Sequence, residues 1–184
     1  MSLVSIAEGA EIVRGGGVIA YPTEGCYGLG CNPMDAQSVQ RILSIKRRHF
    51  SKGLILISDH RKRLEPYFTC LPKATRDEIL ASWPGPVTWL LPARANIPRL
   101  VRGDHQSIAL RVSDHPVVRM LCQQANMAIV STSANRSSQL PHRLQKTVLD
   151  EFKNDVDGVV KGRIGQRRTP SVIRNGLDGS TIRS

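Results

Sequence analysis

Apolar residues recur at helical spacing from the start of the chain. Ile6, Ala10 and Val13 fall on one face, and Gly15-Gly16-Gly17 ends the run. Glycine is a common helix stop because it accepts the left-handed backbone. Val18-Ile19-Ala20-Tyr21 then predicts a short strand, cut by Pro22, and the stretch 25–30, Gly-Cys-Tyr-Gly-Leu-Gly, predicts a glycine-rich turn. Asn32-Pro33 and Asp35 open a second helix that reaches Lys46, with Val39, Ile42 and Leu43 as its apolar face. The unbroken apolar run 53–57 predicts a strand buried on both faces. Beyond it the pattern predicts a helix over 75–83, stopped by Pro84-Gly85-Pro86, then strands over 87–91 and 108–112. A helix over 116–124 carries proline in its first turn. A buried strand over 127–130 runs straight into Ser131, a helix covers 147–152, and short strands cover 158–160 and 171–173. Segments 94–105, 139–143 and 162–169 are polar and irregular, and are candidate mobile loops.

Strands and helices alternate often, which places the chain in the α/β class. No helix separates 87–91 from 108–112, so the sheet is expected to be mixed rather than purely parallel. The 184 residues suit one domain spanning 1–184, with 40% hydrophobic and 22% charged residues as in ordinary globular proteins. Four cysteines, Cys26, Cys31, Cys70 and Cys122, form no Cys-x-x-Cys pair and match no zinc spacing. They read as free thiols of a reducing compartment. Residues 1–13 show no signal-peptide pattern, and no stretch approaches the ~18 apolar residues of a membrane span. A cytoplasmic location without membrane contact is therefore expected.

The net charge of +11, from 26 Lys+Arg against 15 Asp+Glu, points to polyanionic partners. Nucleotides, RNA and acidic membrane surfaces all qualify. Four places carry candidate chemistry. The glycine-rich turn can be a plain structural turn or can bring backbone N–H groups to phosphate, with Thr23 and Glu24 beside it at a strand end. Its spacing is Gly-x-x-Gly-x-Gly, and no Gly-x-x-x-x-Gly-Lys-Ser/Thr occurs, so a P-loop is excluded. Lys46 and Arg48 at a helix C-terminus can simply compensate the helix dipole. Together with Lys52, just before a buried strand, they also suit a triphosphate. Ser131-Thr132-Ser133-Ala134-Asn135 can be a capping turn or a hydrogen-bonding cradle. Ser107 and Arg111 flank the strand 108–110 and offer a further hydroxyl and cation, unless the strand is a surface one with an exposed arginine.

These residues also form an ordered set. Tyr21-Pro22-Thr23-Glu24, Tyr27-Gly28-Leu29-Gly30, Lys46-x-Arg48, Lys52-Gly53-Leu54-Ile55, Trp83-Pro84-Gly85-Pro86-Val87-Thr88, Ala109-Leu110-Arg111-Val112, Asp114-His115-Pro116 and the 131–135 run follow one another along the chain. In that order they resemble the YrdC-like threonylcarbamoyl-AMP synthases of the bacterial single-domain form, from about residue 18 to about 174. The resemblance implies a twisted open mixed sheet with flanking helices around a concave basic cavity. It implies formation of threonylcarbamoyl-adenylate and pyrophosphate from L-threonine, bicarbonate and ATP. A tRNA-modifying transferase complex then passes the threonylcarbamoyl group to an adenosine beside the anticodon.

By the same resemblance, Lys46 and Arg48 serve nucleotide binding and catalysis. Lys52, Ser107, Ser133, Asn135 and Pro141 complete the ATP site. Thr23, Arg111, Ser131 and Ser171 meet threonine. Magnesium is expected, held mainly by the phosphates, with no protein metal site. None of His49, His60, His105, His115 and His142 has a motif that makes it catalytic. Two positions depart from the pattern: Gly25 stands where many relatives have threonine, and Ile57 where many have histidine. Both touch threonine in two-domain members, so threonine is held differently here or bound more weakly. The second domain of those members is not expected in a chain that stops at Ser184. A non-catalytic module for double-stranded RNA or tRNA is the competing reading of the charge, and direct RNA binding is compatible with either. Against the module, aromatics are only 4% and no RNP-type stacking motif occurs.

Overall fold

The computed structural model describes residues 2–183. Two of the helices begin where local side chains satisfy their free N–H groups. Ser5 and Glu8 form a reciprocal capping box at the start of α1 (Ile6–Arg14). Asp35 accepts from Gln37 and Ser38 N–H at the start of α2 (Ala36–Lys46). Further along come α3 (Lys73–Ser82), the single turn α4 (Arg99–Arg102), α5 (Pro116–Ala125) and α6 (Gln145–Phe152). No helix among the described residues is long and apolar enough to cross a membrane.

The strands are β1 (Leu3–Val4), β2 (Ile19–Pro22), β3 (Tyr27–Gly30), β4 (Ile55–Ser58), β5 (Val87–Pro92), β6 (Ser107–Val112), β7 (Ile129–Ser133), β8 (Gly158–Val160), β9 (Val172–Asn175) and β10 (Thr181–Arg183). They join one open ten-stranded sheet in the order β1-β8-β2-β3-β7-β4-β6-β5-β9-β10. The pairs β1·β8, β2·β8, β4·β6 and β5·β9 are parallel and the other five are antiparallel, so the sheet is mixed as expected.

Several expectations need correction. Residues 27–30 are strand β3, paired antiparallel with β2, and not part of a glycine-rich turn. Their glycines serve packing: a Cβ on Gly30 would sit 2.7 Å from the Tyr21 ring and 2.8 Å from the Val130 carbonyl oxygen. Ser131 to Ser133 lie within β7 rather than after it. The segment 94–105 is not a free loop. It contains α4, whose Val101 is buried, and it is pinned by Leu54 N–H donating to Val101 O at 2.8 Å. The short strands β1 and β10 escaped the periodicity.

Side chains alternate across a sheet. One face carries Ala20, Leu29, Val130, Leu56, Leu110 and Trp89, and packs on Val39, Ile42 and Leu43 of α2 in the larger core. The opposite face carries Ile19, Tyr21, Ile57 and Ile129, covered by Ala10 and Val13 of α1 and by Val118, Leu121 and Ala125 of α5. Those two helices cover only one end of that face. At the other end the same alternation brings up Ile55, Ala109, Ser107, Ser131 and Ser133, and there a cavity opens.

Candidate active site

Helix α2 ends at Arg47, which takes the left-handed conformation (φ 49°, ψ 46°). Its N–H donates to Ser44 O and that of Arg48 to Leu43 O, which closes the helix end. The turn separates the two neighbouring cations. Lys46 is buried, while Arg48 is half-buried and lines a cavity.

The Lys46 Nζ donates to Ser133 O at 2.5 Å, to Asn135 O at 2.9 Å and to Asn135 Oδ1 at 3.0 Å. All three of its N–H groups are thereby used. Asn135 Oδ1 also accepts from Ser133 Oγ at 2.5 Å, and its Nδ2 donates to Arg136 O and Gln139 O. The Lys46–Ser133–Asn135 constellation expected from the motifs is thus one continuous network. Arg48 donates to Gly53 O at 2.9 Å and Lys52 O at 3.3 Å, and its Nε is buried without a partner. Burial, and then the Arg48 charge, pull the Lys46 pKa down from 10.5 to about 8. Burial also lowers that of Arg48.

Two adjoining cavities share Arg48, Lys52, Thr132 and Ser133. The smaller, about 160 Å³, adds Lys46, Asn135, Ser137 and Ser138, so it is cationic and hydroxyl-lined with no carboxylate. The larger, about 780 Å³, is lined by Thr23, Ser107, Arg111, Ser131, Pro141 and Ser171 among others. Every expected site residue therefore lines one cavity or the other. Among the described residues, no cluster of three or more His, Cys, Asp or Glu side chains could hold a metal ion.

Arg111 is not an exposed strand arginine. It is buried, and its Nη2 lies 3.1 Å from Glu24 Oε2. Glu24 Oε1 accepts from Ser113 Oγ at 2.6 Å. Burial alone would raise the Glu24 carboxyl, but Arg111, Ser113 and the other groups around it hold it below the usual carboxylate value. Thr23 Oγ1 donates to Cys26 O at 2.8 Å, and Thr88 Oγ1 to Ser171 Oγ at 2.9 Å.

The two out-of-pattern positions have structural reasons. A Cβ on Gly25 would meet Arg167 O at 2.9 Å, because segment 162–169 lies directly on the 23–25 turn. Gly165 N–H donates to Thr23 O and Arg167 N–H to Glu24 O. Ile57 is fully buried in the apolar cluster with Tyr21 and does not line the cavity.

The motifs include Glu24 and Thr132 without giving either a role, and they do not single out Ser137, Ser138, Arg102, His105, Arg143 or the Arg167-Arg168 pair; all of these line the cavities. The polar composition of 139–143 and 162–169 was the available signal for Arg143, Arg167 and Arg168. Arg143 ties these segments together by donating to Gly25 O and to Arg167 O.

Residues 11–183 match the Sua5–YciO–YrdC family model, described as "Telomere recombination". The threonylcarbamoyl-AMP synthase of Nitrosococcus oceani is 45% identical over 174 residues, covering 95% of this chain and 94% of that protein. Among solved structures, E. coli YciO superposes with a TM-score of 0.85 at 26% identity, covering 97% of this chain and 88% of the other. P. abyssi Sua5 complexed with L-threonine gives 0.88 at 26% identity over 95% of this chain. The chain spans about half, 54%, of that Sua5 protein.

Proposed function

The chain belongs to the Sua5–YciO–YrdC family, and from that premise we propose that it is a threonylcarbamoyl-AMP synthase, converting L-threonine, bicarbonate and ATP to threonylcarbamoyl-adenylate and pyrophosphate. The observation that carries the proposal is the junction of the two cavities. There the Lys46 ammonium is fixed on Ser133 and Asn135, and Arg48 and Lys52 stand at the boundary. The larger space suits the adenylate and amino acid, and the smaller suits the terminal phosphates.

Threonine's ammonium and bicarbonate give the carbamate anion, water and one proton. A carbamate oxygen then forms a bond to the α-phosphorus as the bond to pyrophosphate breaks. Negative charge grows on the leaving group, so prearranged cations supply most of the stabilisation. Lys46, Arg48 and Lys52 provide it, while Ser133 and Asn135 keep Lys46 in place and Ser107 and Pro141 line the nucleotide's path. Arg111 takes the threonine carboxylate, with Thr23, Ser131 and Ser171 around the amino acid. Magnesium bound to ATP would neutralise part of the phosphate charge, with the hydroxyls of Ser133, Ser137 and Ser138 in the smaller cavity as the protein oxygens available to it.

We read residues 1–184 as one such domain. Its product passes to tRNA through a partner transferase complex. The cavity-lining arginines Arg102, Arg143, Arg167 and Arg168 suit direct contact with RNA as well. Pyrophosphate release that requires both threonine and bicarbonate supports the assignment. ATP turnover indifferent to threonine overturns it.

A further inference from the structure

Glu24 is the sole carboxylate among the described residues lining the larger cavity. Around it stand Arg48, Lys52, Arg102, Arg111 and Arg143, which suit the negative charges of ATP and bicarbonate. A half-buried anion in that company opposes those ligands, so its placement calls for a ligand of opposite sign.

The Glu24–Arg111 pair is only partly used within the protein. One Glu24 oxygen accepts from Arg111 Nη2 at 3.1 Å and the other from Ser113 Oγ at 2.6 Å. An ionised carboxylate has about four acceptor positions, so about two remain. Arg111 likewise makes only its Glu24 hydrogen bond among the described residues, which leaves most of its five N–H groups, including an enclosed Nε, without a partner. Acceptor capacity and donor capacity thus lie side by side at the cavity wall. The pair is held from behind: Arg167 N–H donates to Glu24 O at 3.0 Å, and Ser113 Oγ also accepts from His115 N–H at 3.2 Å.

A molecule with an ammonium and a carboxylate on one carbon complements this pair. Of the three substrates, threonine alone carries a positive charge. We infer that Glu24 and Arg111 form an amino-acid clamp, in which Glu24 receives the α-ammonium of the substrate and Arg111 its α-carboxylate. The inference rests on the threonine reading above and deepens it. Glu24 becomes the residue that selects for an α-amine. When the ammonium loses its proton on the way to the carbamate, the same carboxylate accepts from the N–H that remains.

Glu24→Gln keeps the side-chain length and an acceptor for Arg111, but removes the charge. Threonine binding by calorimetry is expected to weaken at least about tenfold, since hydrogen bonds between charged groups are among the strongest. The KM for ATP should stay unchanged. The amine-free analogue 3-hydroxybutyrate should inhibit as it does in the wild type, because it never met Glu24. Unchanged threonine binding overturns the clamp. So does an equal loss of threonine and 3-hydroxybutyrate, which would mean that Glu24 only positions Arg111. Should Glu24→Gln fail to fold, Glu24→Asp gives the same comparison with the charge retained and withdrawn by one methylene. A smaller but selective loss of threonine supports the clamp, and an equal loss of both acids overturns it. Wild-type protein that binds threonine but forms no adenylate would defeat the synthase reading and leave the clamp standing.

Discussion

Lys46 gives the site a pH dependence whose sign and size can be worked out. In the free protein its pKa lies at about 8, lowered from 10.5 by burial and by Arg48. Bound phosphates favour the ammonium and raise that pKa again. At pH 7 about nine in ten Lys46 side chains are charged before ATP arrives, and at pH 9 about one in ten. ATP binding at pH 9 must therefore take up roughly 0.9 of a proton, and affinity should fall about tenfold between pH 7 and pH 9, or about 1.4 kcal/mol. Calorimetry at pH 9 in two buffers of different ionisation enthalpy reads the proton uptake directly, and a Kd series over the same range reads the affinity. Lys46→Met removes the titrating group and is the control. It should bind ATP more weakly at pH 7 and lose most of the pH slope. A wild-type Kd that is flat across the range, or an equal slope in Lys46→Met, would refute this account of Lys46.

Lys46→Ala and Arg48→Ala should each lower adenylate formation at least ~10-fold, about 1.4 kcal/mol of transition-state stabilisation; near-normal turnover in both contradicts their catalytic placement. Arg111→Ala should first raise the threonine concentration needed for half-maximal pyrophosphate release, with the ATP requirement little changed. A threonine dependence like that of the wild type speaks against the carboxylate contact. Gly25→Thr installs the residue that the family resemblance implies at this position, yet its Cβ would lie 2.9 Å from the Arg167 carbonyl oxygen. Overpacking of that kind costs about 1–3 kcal/mol, so the denaturant midpoint should drop; a variant as stable as the wild type with tighter threonine binding would show that segment 162–169 yields freely.

Much of the site was legible because its parts are local motifs that recur in order. Lys46, Arg48 and the 131–135 run stood out by residue type and position, the family resemblance narrowed the run to Ser133 and Asn135, and the structure joins these two to Lys46 through a single ammonium. The misreadings have physical causes. Glycines at 28 and 30 look like turn residues, but they make room in a strand for Thr23 and for the Tyr21 ring. Ser131 and Ser133 look like a loop because hydroxyls are uncommon in a buried strand, and here their face of the sheet meets a cavity rather than a helix. The pairing of Arg111 with Glu24 was not legible, because the two lie 87 residues apart, beyond any pattern along the chain. The strands β1 and β10 span two and three residues, too short to display an alternation.

The central claim is that one chemical event joins three substrates at the boundary of the two cavities. Incubation of the protein with ATP, L-threonine and ¹³C-bicarbonate, followed by mass spectrometry of the nucleotide fraction, tests it most directly. An adenylate carrying both threonine and the labelled carbon, absent when any one substrate is withheld and strongly reduced in Lys46→Ala, is the predicted result. A labelled adenylate formed equally well without threonine, or its absence with all three substrates present, would contradict the account.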